Sequence, residues 1–290
     1  DKTYPQISSS IDIDSFSPNE DGIKDSVTIS YILSEEVTGL SLNIGQLSSI
    51  ELSGREQETK YNYEWNGTWY GKEWGTKFED GTYNLEIAGV DKGGNRGNFQ
   101  LTVTIDTEAP VVTETFLEDR DFLNSPITEV SANVDDEGGT PIDFDSTLTK
   151  INLKNFNGKT ISGTTKYQED VKRVILKLQQ PLGTFEQNGE YSMVVNVADE
   201  AGNSTKSTHS FILDTQPPEI KKVSSGEFEL EPYNYGVILS DTGSIVIQAS
   251  DVTSGVDFSD IQIALSEPSG DSVNFTKTIT LVNNELSIKL

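Results

Sequence analysis

The sequence predicts an all-β chain built of tandem β-sandwiches, and three observations carry that prediction. Runs rich in Val, Ile, Thr and Tyr, apolar at alternate positions, recur about every eight to twelve residues between clusters of Gly, Asn and Asp. No segment keeps helical periodicity for more than a turn or two. The chain also repeats itself: "GTYNLEIAGVDKGGNRGNFQLTVTIDTEAP" (Gly81 to Pro110) matches "GEYSMVVNVADEAGNSTKSTHSFILDTQPP" (Gly189 to Pro218) at a constant offset of 108 residues. That period is one sandwich-sized unit and too long for a solenoid repeat.

Each part of the repeat has a physical reason. Tyr83, Leu85 and Ile87 alternate on one face, as do Tyr191, Met193, Val195 and Val197, the two-residue period of a half-buried strand. The DxxGN pieces, Asp91 to Asn95 and Asp199 to Asn203, read as turns, because Gly takes positive φ cheaply and Asp or Asn can bond its own backbone. The strand that follows ends at DTxxP, where proline stops the ladder and opens a linker. Domains are therefore expected at 1–106, 107–214 and 215–290. The third is expected to be truncated. Its "IVIQASDVTSGVDFSDIQIAL" parallels "VSANVDDEGGTPIDFDSTLTKINL", with an acidic turn ahead of Asp143-Phe144 and Asp257-Phe258, but Leu290 is reached before any GxY or DxxGN segment. The chain is expected to be part of a larger polypeptide.

Composition excludes several function classes. The 290 residues carry 21 basic and 47 acidic side chains, a net charge of −26, which repels polyanions and leaves no footprint for nucleic acid or an anionic membrane surface. Cysteine is absent, so neither a disulfide framework nor a thiolate metal site can form. No apolar run approaches the roughly 20 residues that span a bilayer, so no membrane insertion is expected.

With these motifs laid out, the chain resembles bacterial Ig-like and fibronectin-III-like modules. "DEAGN" followed by "DTQPP" is similar to the joint of tandem Ig-like arrays in large surface proteins and adhesins. The first unit is more specific: "FSPNEDGIKD", "EWNGTWYGKEW" and "EDGTYNLEIAGVD" resemble the Ig-like domain of the flagellar hook-capping protein. They also resemble accessory domains of cell-envelope subtilisin-like proteases such as lactocepin and the streptococcal C5a peptidase. The resemblance implies the sandwich fold strongly and a function only weakly, since function lives in grafted sites.

Catalytic chemistry finds few candidates. His209, the only histidine, falls at a solvent-alternating position of a strand, and no serine is expected beside it as a triad would need. "ILSDTGS" (238–244) contains Asp-Thr-Gly once, whereas an aspartic protease needs two aspartates sharing a proton, so a turn is expected. With 47 acids, a pair at glycosidase spacing is uninformative. "NGT", "NST" and "NFT" match glycosylation sequons, which carry little weight in a bacterial protein.

Two binding chemistries remain. Trp65, Trp69 and Trp74 crowd near Tyr61, Tyr63 and Tyr70, either as a stacking platform for carbohydrate or peptide, or with Trp65 filling the core. Calcium suits the oxygen-rich stretch "SPNEDG", where Asn19 and Asp21 have the spacing of an EF-type loop and Asp25 follows, although Ser17 stands where a carboxylate is expected. The alternative there is an Asx-rich turn. The adhesin-array resemblance implies further calcium ligands at the joints: Asp91 and Asp106 at the first, Asp199 and Asp214 at the second. The acidic turns at Asp135, Asp136 and Asp251 are further ligand candidates without an assigned position.

The expected function is a non-catalytic spacer or adhesive stalk of a bacterial extracellular or cell-surface protein, stiffened by structural calcium. Its partner would be an unidentified protein or cell-surface glycan. The alternatives are an accessory region of a cell-envelope protease and a carbohydrate-binding module.

Overall fold

The computed structural model describes residues 3–53, 56–68, 77–117, 122–144, 147–225, 228–229, 245–257, 262, 264, 269–272, 278–282 and 285–289. Within them the chain is all-β apart from two short 3-10 turns, Glu169–Val171 and Phe185–Gln187.

The first sandwich is built from β1 (Ile7–Ile11), β2 (Ser15–Phe16), β3 (Val27–Leu33), β4 (Thr38–Ile44), β5 (Ser48–Glu51), β6 (Lys60–Trp65), β7 (Gly81–Val90) and β8 (Arg96–Ile105). One sheet runs β1-β3-β6; the other runs β2-β8-β7-β4-β5, with β2 parallel to β8 and the remaining neighbours antiparallel. The second comprises β9 (Val111–Thr115), β10 (Phe122–Leu123), β11 (Ile127–Asp135), β12 (Lys150–Asn155), β13 (Thr160–Ile161), β14 (Gly163–Gln168), β15 (Arg173–Leu182), β16 (Gly189–Ala198) and β17 (Ser204–Leu213). Its sheets run β14-β15-β11-β9 and β10-β17-β16-β12-β13, with β10 again parallel to β17. The five-stranded sheets thus repeat one topology, that of an Ig-like sandwich. The third region shows β18 (Glu219–Ser225), β19 (Phe228–Glu229) and β20 (Ile245–Ser250) in one sheet, and a hairpin of β21 (Thr278–Val282) and β22 (Glu285–Lys289).

Alternation along each strand makes the cores. On β3, Val27, Ile29, Tyr31 and Leu33 point inward; on β16, Tyr191, Met193, Val195 and Val197 do so. Two separate hydrophobic clusters result, one drawn from Ile7 to Ile105 and one from Leu117 to Leu213. Trp65 is completely buried in the first, edge-on to Phe16 and Phe78 at 5.6 and 5.5 Å, with its Nε1 donating to the Thr68 carbonyl at 3.2 Å. It therefore cannot join a stacking platform, because its ring is spent on the core. Trp69 and Trp74 lie outside the described residues, as does the Asp-Thr-Gly segment.

The tyrosine of each GxY motif has a role beyond alternation. Tyr83 Oη donates to the Glu79 carbonyl and Tyr191 Oη to the Gln187 carbonyl, both at 2.7 Å and both four residues back. This is the tyrosine corner of Ig-like sandwiches, which ties the strand to the chain that delivers it.

Candidate metal centre

Three carboxylates meet where the first sandwich enters the second. Asp106 follows β8 directly, Asp136 follows β11 and Asp199 follows β16, so each sits at the end of a strand whose alternation is over. They offer ligand oxygens all within 4.8 Å of one another. Asp106 and Asp199 are almost fully buried, and Asp136 Oδ2 is buried without any hydrogen-bond partner.

Local bonding explains the arrangement. In the DEAGN turn, Asp199 Oδ1 accepts from the Asn203 amide and Oδ2 from Asn203 Nδ2, each at 2.9 Å. Asn203 Nδ2 also donates to the Asp106 carbonyl at 2.9 Å, so this asparagine joins the two sandwiches. Asp106 Oδ2 accepts from the Thr140 amide at 2.6 Å and from Thr140 Oγ1 at 2.8 Å, and Thr140 Oγ1 accepts from the Ala201 amide at 3.2 Å. The "DDEGGT" loop packs tightly enough that glycine is needed: a Cβ at Gly139 would collide with Asp136 Oδ1 and come within 2.9 Å of Asp106 Oδ2.

The electrostatics are those of a site short of positive charge. Burial, then the charges of Asp106 and Asp199, push the Asp136 carboxyl up to about 7. Burial also raises Asp199, against the opposing hydrogen bonds from Asn203. The nearby Lys172 is engaged by Asp135. Among the described residues, none of the three clustered carboxylates has a Lys or Arg ion-pair partner. All-oxygen donors at such spacing suit a hard divalent cation, and calcium tolerates an irregular set better than magnesium does.

The grouping differs from the one the resemblance implied. Asp91 and Asp106 sit at opposite ends of β8, and Asp199 and Asp214 at opposite ends of β17, so neither pair can share an ion. The turn of the following domain, and not that of the same domain, receives the linker aspartate. Asp91 is closed within its own turn, accepting from the Asn95 amide and Asn95 Nδ2 at 2.7 Å each, and these bonds hold its carboxyl below the usual range. Asp214 meets Asp251 at the next joint. Asp214 Oδ1 accepts from Asn188 Nδ2 and the Gln216 amide, its Oδ2 accepts from the Ser254 amide, and Asp251 Oδ1 accepts from the Thr253, Ser254 and Gly255 amides. Burial pushes Asp214 up, but hydrogen bonds led by Ser254 outweigh it and hold Asp214 low.

The SPNEDG loop also lies at the first joint. Its oxygens are occupied by its own backbone: Asn19 Oδ1 accepts from the Asp21 amide, Asp21 Oδ1 from the Ile23 amide, and the Asp25 oxygens from the Glu20 and Gly22 amides. Lys77 braces it through the Pro18 carbonyl and Glu20. Its outer side touches the second sandwich, with Lys24 Nζ on the Glu200 carbonyl at 2.6 Å and Asn19 Nδ2 on Asn203 Oδ1 at 3.4 Å. Ser15 Oγ reaches the same Glu200 carbonyl at 2.9 Å.

His209 corrects another expectation. Ser207 Oγ lies 2.8 Å from its Nε2, and both side chains are half-buried on the face of β17 that continues into the core residues Phe211 and Leu213, so His209 does not take the solvent-alternating position expected of it. No carboxylate bonds the imidazole among the described residues, so the orienting acid of a triad is not supplied there.

No protein-family model matches the sequence, and no curated protein matches it. Among solved structures, a calcium-stabilised adhesin with which an Antarctic bacterium binds ice aligns over 86% of this chain and 57% of its own, at 16% identity and a TM-score of 0.34. A structure on the host cell-surface retention of a 1.5-MDa bacterial ice-binding adhesin aligns over 74% and 67%, at 16% identity and a TM-score of 0.32. SGBP-B of the Bacteroides ovatus mixed-linkage glucan utilization locus aligns over 95% and 64%, at 14% identity and a TM-score of 0.21. These are bacterial adhesin and surface-binding proteins, and at such low TM-scores none of them transfers a function. No helix among the described residues is long and apolar enough to cross a membrane.

Proposed function

We propose that this chain is a non-catalytic run of β-sandwiches from a bacterial extracellular or cell-surface protein, acting as a spacer whose first joint is stiffened by calcium. The observation that carries this reading is the convergence of Asp106, Asp136 and Asp199 from two sandwiches, with the Asp136 Oδ2 buried and unpartnered. The three carboxylates would hold the ion, with Asp106 contributed by the first sandwich and Asp136 and Asp199 by the second. A divalent cation there supplies the missing positive charge and ties the linker to both acidic turns.

The protein's own groups do the positioning. Asn203 and Thr140 fix Asp199 and Asp106, and Ser15 of β2 and Lys24, on either side of the SPNEDG loop, brace the joint through the Glu200 carbonyl. Such a joint limits hinge motion, which is the property a spacer needs. Small-angle scattering with calcium and then with a chelator tests this. The chelator should broaden the distribution of interdomain distances, and superimposable profiles together with identical melting curves would reject the reading.

A further inference from the structure

The first sandwich carries a second feature that shares no residue with the metal centre. On the outward face of its five-stranded sheet, β4, β5 and β7 and the β4–β5 hairpin enclose an open trough of about 600 Å³. Its floor is shallow because the side chains are short, among them Gly39, Ser41, Ala88 and Gly89. A Cβ at Gly89 would press on Val37 and Leu40 on the core side at 3.0 to 3.2 Å, so a larger residue fits there only if those side chains give way by a few tenths of an ångström.

Across this floor runs a fixed polar array. Glu86 accepts from Asn98 Nδ2 at 2.6 Å, from Arg96 Nη2 at 3.0 Å and from Asn43 Nδ2 at 3.3 Å, while Asn43 Oδ1 accepts from Ser49 Oγ at 2.7 Å. These donors hold the Glu86 carboxyl low, Asn98 most of all. Ser48 borders the trough, but it pairs across the hairpin with the core residue Ile44 and turns its hydroxyl inward, so the polar floor is made by Asn43, Ser49, Glu86 and Arg96.

We propose that this trough binds a neutral, hydroxyl-rich ligand, a short saccharide segment, through Asn43, Glu86 and Arg96. Planar amide, carboxylate and guanidinium groups present paired donors and acceptors, which match vicinal hydroxyls. The volume lies within the range of ligand sites, roughly 300–1,000 Å³, and the polar floor rejects a lipid or an apolar peptide. Arg96 neutralises Glu86 locally, and the chain's net charge of −26 opposes an acidic glycan.

The test is an amide-shift titration of the whole chain with cellohexaose, xylohexaose, maltohexaose and chitohexaose, with tetragalacturonate as the charged control. At least one neutral hexasaccharide should perturb amides of 39–49 and 86–96 with a millimolar or tighter dissociation constant. Glu86→Ala should weaken it at least tenfold. Ser49→Trp, at an exposed position, should block it by filling the trough while keeping the fold. The proposal is overturned by silence of all four neutral probes at about 10 mM, by shifts elsewhere, by unchanged affinity in both variants, or by tighter binding of the acidic control.

Discussion

Replacing Asp136 by Asn should act in opposite directions with and without calcium. Ligand oxygens of the three carboxylates lie within 4.8 Å of one another, so each ionised pair repels by at least roughly 3.5 kcal/mol at an effective dielectric constant near 20. Asp136 is partly exposed, so solvent screening reduces the relief from its neutralisation to about 1–2 kcal/mol. Without calcium the variant is therefore the more stable protein, its second sandwich melting about 4–8 °C higher per kcal/mol gained. With calcium the order reverses. At a dissociation constant of about 10⁻⁴ M, the tight end for extracellular modules, about 10 mM calcium adds roughly 2.7 kcal/mol to the wild type and nearly nothing to the variant. Calorimetric melts of both proteins, with calcium and with a chelator, read this crossing directly. A variant that is less stable under both conditions, or that keeps the full calcium response, would refute the reasoning.

Other consequences follow from the same geometry. Because the Asp136 pKa is raised to about 7, the folded protein holds this proton more tightly than the unfolded chain does; stability fully present below about pH 4 is lost as the pH rises towards 7. Calcium should flatten that decline, and melting curves between pH 4 and 8 in chelator and in calcium check it. Asn203→Ala removes the buried donor to both Asp106 and Asp199, and should cost about 2–4 kcal/mol in a denaturant titration while widening the interdomain distance distribution. Tyr191→Phe and Tyr83→Phe each delete a corner hydrogen bond and should cost about 1 kcal/mol apiece, in the second and first sandwich respectively, without altering calcium affinity.

Much of this architecture was legible in the sequence because strands announce themselves locally. Alternation in "VTISYIL" and "YSMVVNV" set which side chains face the core, and the 108-residue repeat marked the last two strands of each unit, β7–β8 and β16–β17, though not the order of the sheets around them. The joint was harder. A linker aspartate and a turn aspartate adjacent in one repeat are separated by the full length of a strand, so sequence proximity grouped Asp106 with Asp91, whereas the fold brings Asp106 to Asp199 of the next unit. Asp136 carried only a weak signal, an acidic pair before Gly-Gly at the end of an alternating strand, and its contact with Asp106 depends on how two domains dock. The Ser207 contact with His209 was readable in principle, since residues two apart on a strand share a face.

Calcium titration of the chelator-treated chain by isothermal calorimetry tests the central claim most directly. The joint geometry predicts a binding event that Asp136→Asn or Asp199→Asn abolishes and that Asp21→Asn in the SPNEDG loop leaves intact. No measurable binding, or binding that survives Asp136→Asn and disappears with Asp21→Asn, would contradict it.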